Sequence, residues 1–458
     1  MDRAARHKVP FTGAAVLLVF AWAGAPAWAD DPAIQVNPVT HISISGEVSI
    51  EGRSESPSME SLPAGFTLEP VGVTPIKNQG ACGSCWAFAA YGSMESNLKY
   101  KTGVTADLSE NNLKNRHGFD LGPCAGGNVW MSMAYLSRLS GPLAESYDPY
   151  HAWDDRATAP TTGPRQYSMT SVPFHTAVST IKQGVVDHGA LYTSMYFDNA
   201  YYNSTTKTYY YGGTTGTNHA VCVVGWDDTK AVPGAPAAGA WRIRNSWGPA
   251  WGDAGYFWLS YDDSQGGKYG AAVQAGPVSL WQRAYSYDEF GDVAELNTPY
   301  ACNVFRTSQV EQLKAIGFYT QVDGASYDLR IYDNWVAGNP ANLLIQKTGT
   351  MPEWGFQTVD LGSLLNLPAN DTFVVYLKIT NGGSYPQAID YQWPGYDSAS
   401  TANPGESYYS FDGLNWTDIT SWDNTANFSI KAYTVPEPAT LCLLALGALA
   451  LVRRRAKN

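Results

Sequence analysis

Cys85, His219 and Asn245 are the residues of this chain whose types and neighbours can support nucleophilic chemistry. A cysteine reacts as its thiolate, so the question is what would lower the pKa of one particular thiol. Cys85 is followed by Trp86, Ala87, Phe88, Ala89 and Ala90, and Phe88, Tyr91, Met94 and Leu98 recur at helical spacing. The pattern predicts a helix that starts at Cys85, where the partial positive charge of the helix N-terminus favours the anion. Gly80 and Gly83 permit the tight backbone approach such a start needs. A thiolate also wants a cationic partner. His219 stands in Asn218-His219-Ala220, just ahead of the apolar run Val221, Cys222, Val223, Val224, which predicts an imidazole at the beginning of a buried strand. Asn245, in Asn245-Ser246-Trp247-Gly248, offers an amide oxygen to fix the imidazole tautomer, with Trp247 to shield that bond from water.

The elements that must position these residues belong to a chain of 458 residues, long enough for two domains. Only 15% of residues are charged, 44% are hydrophobic, and Gly (44) and Pro (27) are abundant, which excludes a coiled coil and a wholly disordered chain. The net charge of −12 leaves no basic field for a polyphosphate, so nucleic acid is excluded as a partner. Arg3, Arg6 and Lys8, a short apolar run and Ala27-Trp28-Ala29 read as a secretory signal over residues 1–29, hence an oxidising compartment. Residues 30–61 form a spacer in which Ile42, Ile44, Val48 and Ile50 alternate with polar residues, a strand or hairpin pattern. Residues 62–276 mix one clear helix with later strands. From 277 to 433 helical signals nearly vanish, and short alternating segments such as Tyr327, Leu329 and Ile331, separated by turns, predict a β-sandwich. Residues 434–458 contain Val435-Pro436-Glu437-Pro438, an apolar stretch and Arg453-Arg454-Arg455.

The stretch Gln79-Gly80-Ala81-Cys82-Gly83-Ser84-Cys85-Trp86, with Asn218-His219-Ala220 and Asn245-Ser246-Trp247-Gly248, resembles the papain-like cysteine peptidases. Cys124-Ala125-Gly126-Gly127 and Trp251-Gly252-Asp253-Ala254-Gly255-Tyr256 extend the likeness across residues 62–276. The resemblance implies an α+β fold of a helical lobe and a β-barrel-like lobe with a cleft between them, and hydrolysis of protein or peptide substrates without a cofactor or metal. It implies that Cys85 attacks the peptide carbonyl, His219 protonates the leaving amine, Asn245 orients His219, and the Gln79 amide with the Cys85 backbone N–H holds the oxyanion. Gly126, Gly127, Asn128, Val129 and Trp247 would line the substrate cleft, and Cys82 and Cys124 would form the family's disulfide beside the nucleophile. The sandwich resembles the lectin-like domains appended to some prokaryotic members, through Ala315-Ile316-Gly317-Phe318-Tyr319 and Tyr327-Asp328-Leu329-Arg330-Ile331-Tyr332. The last segment resembles the PEP-CTERM sorting tail, which implies export to a bacterial envelope or surface, transient membrane anchoring through the tail, and handling by exosortase-type machinery.

Cys222 reads as a small buried hydrophobe; Cys302 stands alone in the sandwich, and a bridge between them is open. Cys82-x-x-Cys85 lacks a second ligand pair for zinc, and His117, His151, His175 and His188 read as surface or loop residues. Trp335, Trp354, Trp393, Trp416 and Trp422 either stack on sugar rings or fill a β-core. Two other readings remain at this level: a peptidase fold kept for binding without turnover, and a glycan-binding matrix protein whose function lies in the sandwich. The sandwich is expected to be dispensable for cleavage of a short peptide.

Overall fold

The computed structural model describes residues 62–380 and 386–437 and the backbone of 36–38. The signal, the alternating stretch around Ile42 to Ile50 and the apolar part of the tail lie outside these residues. Helix α1 (Cys85–Thr102) starts at Cys85 and ends at Gly103, whose φ of 74° closes the last turn through an N–H bond to the Lys99 carbonyl. The expected stripe of Phe88, Tyr91, Met94 and Leu98 is buried, and so is the polar face opposite it: Ser93, Glu95, Ser96 and Asn97 are all inside. Each polar group there has a partner. Glu95 accepts from the Thr74 hydroxyl (2.6 Å), the Lys77 ammonium (2.8 Å) and the Leu108 N–H (2.9 Å). Ser96 donates to the Gly72 carbonyl (2.6 Å), and the Asn97 amide donates to the His188 carbonyl (2.8 Å). The helix is thus the hub of its half of the chain rather than one amphipathic wall.

Helices α2 (Glu110–Arg116) and α3 (Val129–Ser137) pack on one side of α1. On the other side lies an antiparallel sheet centred on strand His219–Asp227, flanked by Leu191–Met195 and Ala240–Arg244, with Tyr256–Ser260 beyond. This is the expected pairing of a helical and a β-rich lobe. In the second half, a six-stranded sheet runs in the order Asn339–Met351, Ala325–Val336, Thr372–Thr380, Tyr300–Arg306, Ser407–Ser410, Thr417–Asp418. It shares a core with Glu311–Thr320 and Lys431–Pro436 through Phe305, Phe373, Leu313 and Ile316. The backbone of Val36–Pro38 pairs antiparallel with Ala294–Leu296 of the second half.

The two halves are not independent. Strand Gly355–Leu367 pairs with Tyr167–His175 of the first half (Gly355 opposite Pro173, Phe356 opposite Val172), so one sheet crosses the junction. Phe174 stacks on Trp354 at 4.3 Å, Phe119 meets Phe290 and Tyr396 edge-on, each at 4.8 Å, and the Tyr433 hydroxyl donates to the Ser137 carbonyl. One apolar cluster includes residues from both halves. The expected surface placement of the histidines also fails at two positions. His117 is buried edge-on to Trp86 with Nδ1 accepting from the Phe119 N–H, and His175 is buried at the end of a core strand; His151 and His188 are half-exposed.

Two outcomes follow from this packing. A chain ended at residue 276 exposes Phe119, Phe174 and Ser137 to water, and its thermal melt is expected to be lowered or uncooperative by circular dichroism. Glu95→Ala strands the Thr74 hydroxyl, the Leu108 N–H and part of the Lys77 charge, and is expected to lower the unfolding free energy by ~3 kcal/mol in urea titration.

Candidate active site

Cys85 is half-buried at the first position of α1. Ser84 precedes it without capping the helix, because its hydroxyl is engaged with the Tyr150 hydroxyl at 2.7 Å. The backbone N–H groups of Ala220, Trp86 and Cys85 itself are directed at the Cys85 sulfur and stabilise its anion. Burial acts against them more strongly, so the thiol taken alone is pushed up. Ala220 is the neighbour of His219, which opens strand His219–Asp227; the strand therefore brings the imidazole to the helix start.

The His219 Nε2 lies 2.8 Å from the Asn245 Oδ1. That oxygen also accepts the Ser246 backbone N–H at 2.8 Å, which fixes the amide orientation. His219 must therefore carry its hydrogen on Nε2, leaving Nδ1 as the basic nitrogen. Trp247 lies over the imidazole at 4.6 Å and 22°, and Phe197 approaches both rings edge-on, at 6.2 Å from His219 and 4.7 Å from Trp247. This aromatic cover leaves His219 7% exposed, and burial pushes its pKa down to about 4, with the Asn245 bond opposing the shift.

Gln79 is held from three directions. Its Nε2 donates to the Cys82 carbonyl (2.9 Å), its Oε1 accepts from the Ser246 hydroxyl (2.6 Å), and its carbonyl accepts from Tyr150 (2.8 Å). One amide hydrogen remains uncommitted. Cys82 and Cys124 are joined by a disulfide with Cα atoms 4.6 Å apart, and a short bridge between Gly83 and Ala125 runs beside it. A Cβ on Gly83 would stand 2.6 Å from the Cys124 carbonyl oxygen, and one on Gly127 2.5 Å from the Trp86 ring, so both close approaches need glycine.

Gly126 and Gly127 are half-exposed, and the Gly126 N–H donates to the Gly83 carbonyl at 3.1 Å, two residues ahead of Cys85. Asn128 is half-exposed like the two glycines, whereas Val129 differs from expectation. The Asn128 oxygen caps α3 by accepting the Met131 N–H (3.0 Å), and its amide donates to the Tyr396 hydroxyl (3.2 Å) of the second half. Val129 is fully buried as the first residue of α3 and faces the core, not an open cleft. Helix direction decides this, and nothing in the local sequence marks it. Three contributors were not marked by the sequence reading: Tyr150, Phe197 and Tyr396 have no motif around them, and each reaches the site from a distant loop. Cys222 and Cys302 are buried free thiols.

Residues 65–275 match the family model described as papain family cysteine protease, residues 284–434 that of a lectin-like domain, and residues 434–456 the PEP-CTERM protein-sorting motif. Mouse cathepsin K is 35% identical over 195 residues, 41% of this chain and 56% of the relative. A senescence-specific cysteine protease of Arabidopsis thaliana is 33% identical over 224 residues, 47% of this chain and 62% of the relative. The chain thus spans a little over half the length of these relatives. The crystal structure of the cysteine protease and lectin-like domains of a surface layer associated protein of Clostridium difficile aligns with a TM-score of 0.75 and 25% identity, covering 89% of this chain and 99% of that one.

The buried imidazole has a consequence for acid stability. His219 is held at about 4 against an ordinary value of 6.5, so the unfolded chain binds the extra proton first. Its stabilising contribution is complete above pH 6.5 and is lost as pH falls toward 4. The stability difference between the natural chain and His219→Gln is expected to shift against the natural chain by about 3 kcal/mol between pH 7 and pH 4. Urea midpoints of the two proteins across that window test it, and a pH-independent difference would show that the imidazole is solvated.

Proposed function

We propose that this chain, which joins a papain-family cysteine protease domain to a lectin-like domain and a PEP-CTERM sorting motif, is an exported cysteine endopeptidase that acts at the cell surface. The observation that carries the reading is that the Ala220 N–H, next to His219, is directed at the Cys85 sulfur at the start of α1 while His219 itself bonds the Asn245 oxygen. Nδ1 of His219 takes the proton of Cys85 as the sulfur attacks a peptide carbonyl. A C–S bond forms, and the carbonyl π electrons move to oxygen. The free amide hydrogen of Gln79 and the Cys85 N–H receive that oxyanion. The imidazolium then protonates the amine as the C–N bond breaks, and water, deprotonated by the same nitrogen, hydrolyses the thioester. Peptide chain would lie along Gly126 and Gly127, whose missing side chains leave room for it.

Burial opposes charge on both Cys85 and His219, yet the two share one proton, so they titrate as a pair. The pair holds that single proton from about pH 4 up to the alkaline loss of the thiol proton. The second half supports a surface role: Trp335, Tyr408 and Trp416 form an aromatic cluster with Trp335 on Tyr408 at 4.3 Å, half-exposed and suited to a sugar face, whereas Trp354 and Trp422 are buried. Export rests on the signal-like start and the PEP-CTERM motif. Among the described residues no helix is long and apolar enough to cross a membrane.

Cys85→Ala is expected to abolish hydrolysis of an unfolded protein substrate while leaving the circular dichroism unchanged. His219→Ala should lower kcat by ~10²–10⁴, with Asn245→Ala less severe. For the natural enzyme, kcat/KM should rise through an acid limb near pH 4, stay level, and fall on the alkaline side. A rate that climbs steadily through pH 9 would indicate an isolated thiol and overturn the pairing.

A further inference from the structure

Three side chains of metal-ligating type meet at the junction of the two halves, two of them 13 residues apart and the third from the second half of the chain. His175 ends strand Tyr167–His175, His188 ends α4 (Val178–His188), and Glu353 stands in the turn just ahead of strand Gly355–Leu367. One ligand atom from each lies within 4.8 Å of the other two. The His175 Nδ1 is 3.5 Å from a Glu353 carboxylate oxygen. Two ligands of a tetrahedral ion at ~2.0–2.1 Å are separated by about 3.3 Å, so this pair already spans one edge of such a site. The two imidazoles lie nearly parallel with centroids 5.7 Å apart.

The other nitrogen of His175 decides which edge of the ring faces the cluster. His175 is 5% exposed, and its Nε2 has no hydrogen-bond partner among the described residues. The ring sits against Gly184 of α4, where a Cβ would stand 2.7 Å from that nitrogen, so the helix closes over the imidazole without offering it an acceptor. With Nε2 enclosed by the helix, Nδ1 is the nitrogen that His175 presents to Glu353, and a buried lone pair 3.5 Å from a carboxylate oxygen calls for a cation or a proton between them. Around it the protein has placed a second imidazole and a carboxylate, both half-exposed and reachable from solvent.

We propose that His175, His188 and Glu353 form a site for a divalent transition-metal ion of the zinc class, with water in the fourth position. Two nitrogens and one carboxylate suit zinc, whereas calcium and magnesium call for a shell of oxygens. The ion links a strand end and a helix end of the peptidase half to the turn that leads into the strand crossing the junction. It fastens the lectin-like half to the peptidase half at the edge where Gly355 pairs with Pro173.

The test uses the full chain carrying Cys85→Ala, which removes the thiol most apt to compete for metal. Dialysis against micromolar zinc followed by elemental analysis is expected to give one ion per chain and a melting temperature that rises with free zinc and falls with chelator. Cobalt is expected to give the visible absorption of a four-coordinate ion. His188→Gln and Glu353→Gln, at half-exposed positions, should each weaken uptake more than tenfold while retaining the fold. Glu353→Cys should bind cobalt with a new thiolate-to-metal charge-transfer band, which reports the ligand directly. Absence of stoichiometric uptake, or uptake unchanged in His188→Gln and Glu353→Gln, would leave only a histidine–carboxylate ion pair and overturn the proposal. Uptake lost in His219→Gln instead would place the metal at the catalytic imidazole and overturn it equally.

Discussion

A carboxylate buried in the middle of α1 constrains everything around it. Glu95 lies on the inner side of the helix and is reached by the Thr74 hydroxyl, the Lys77 ammonium and the Leu108 N–H. Lys77 simultaneously meets Glu110 at 2.9 Å and Asp107 at 2.8 Å. Burial pushes the Glu110 carboxyl up to about 8, against the pull of Lys77, so the cluster is held under electrostatic tension between one cation and several carboxylates. Buried ion pairs of this kind add little net stability compared with an apolar core. Their effect here is positional. The groups of segment 74–77 and the start of α2 must close on α1 at one register, because any slip leaves a charge unpaired.

That register carries directly into the site. Two residues beyond Lys77, Gln79 is delivered to the first turn of α1, where it bonds to the Cys82 carbonyl. From the other side, Ser246 donates its hydroxyl to Gln79 and its backbone N–H to Asn245. A single residue between Asn245 and Trp247 therefore ties the oxyanion side of the proposed mechanism to the imidazole side. The aromatic cover from Phe197 and Trp247 keeps water from the His219–Asn245 bond and also depresses the imidazole pKa. The same enclosure that orients the imidazole resists its charging.

The placement of Cys85 at a helix start, of His219 at a strand start and of Asn245 beside it was legible because each sits in a short run whose local physics is self-contained: helix formers after the cysteine, an apolar strand after the histidine, a tryptophan after the asparagine. The α1 stripe was equally legible, but the burial of Glu95 was not, since its partners come from segments 13 and more residues away. Val129 was misplaced for a related reason. The sequence Gly126-Gly127-Asn128-Val129 shows where a chain can approach a ligand, yet the cap at Asn128 turns the next side chain into the core. The histidine cluster was illegible altogether, because His175 and Glu353 meet only through the pairing of Gly355 with Pro173.

The junction changes what the second half contributes. Composition alone divides the chain near residue 276 into two units, and a flexible tether would let the lectin-like half sample many orientations. Instead a shared sheet, the Phe174–Trp354 stack and the Phe119–Tyr396 contact leave no such freedom. The loop around Tyr396 also reaches the peptidase half beside the proposed cleft, where the Tyr396 carbonyl accepts the Asp120 N–H at 2.8 Å and its hydroxyl meets Asn128. Under the proposed function, a rigid junction would convert binding at the Trp335–Tyr408–Trp416 cluster into a fixed bearing for the cleft. Effective concentration then depends on geometry more than on linker length, since only substrates at one distance and direction from a bound saccharide can be reached. On that proposal, selectivity would reside as much in the angle between the halves as in the pocket beside Cys85.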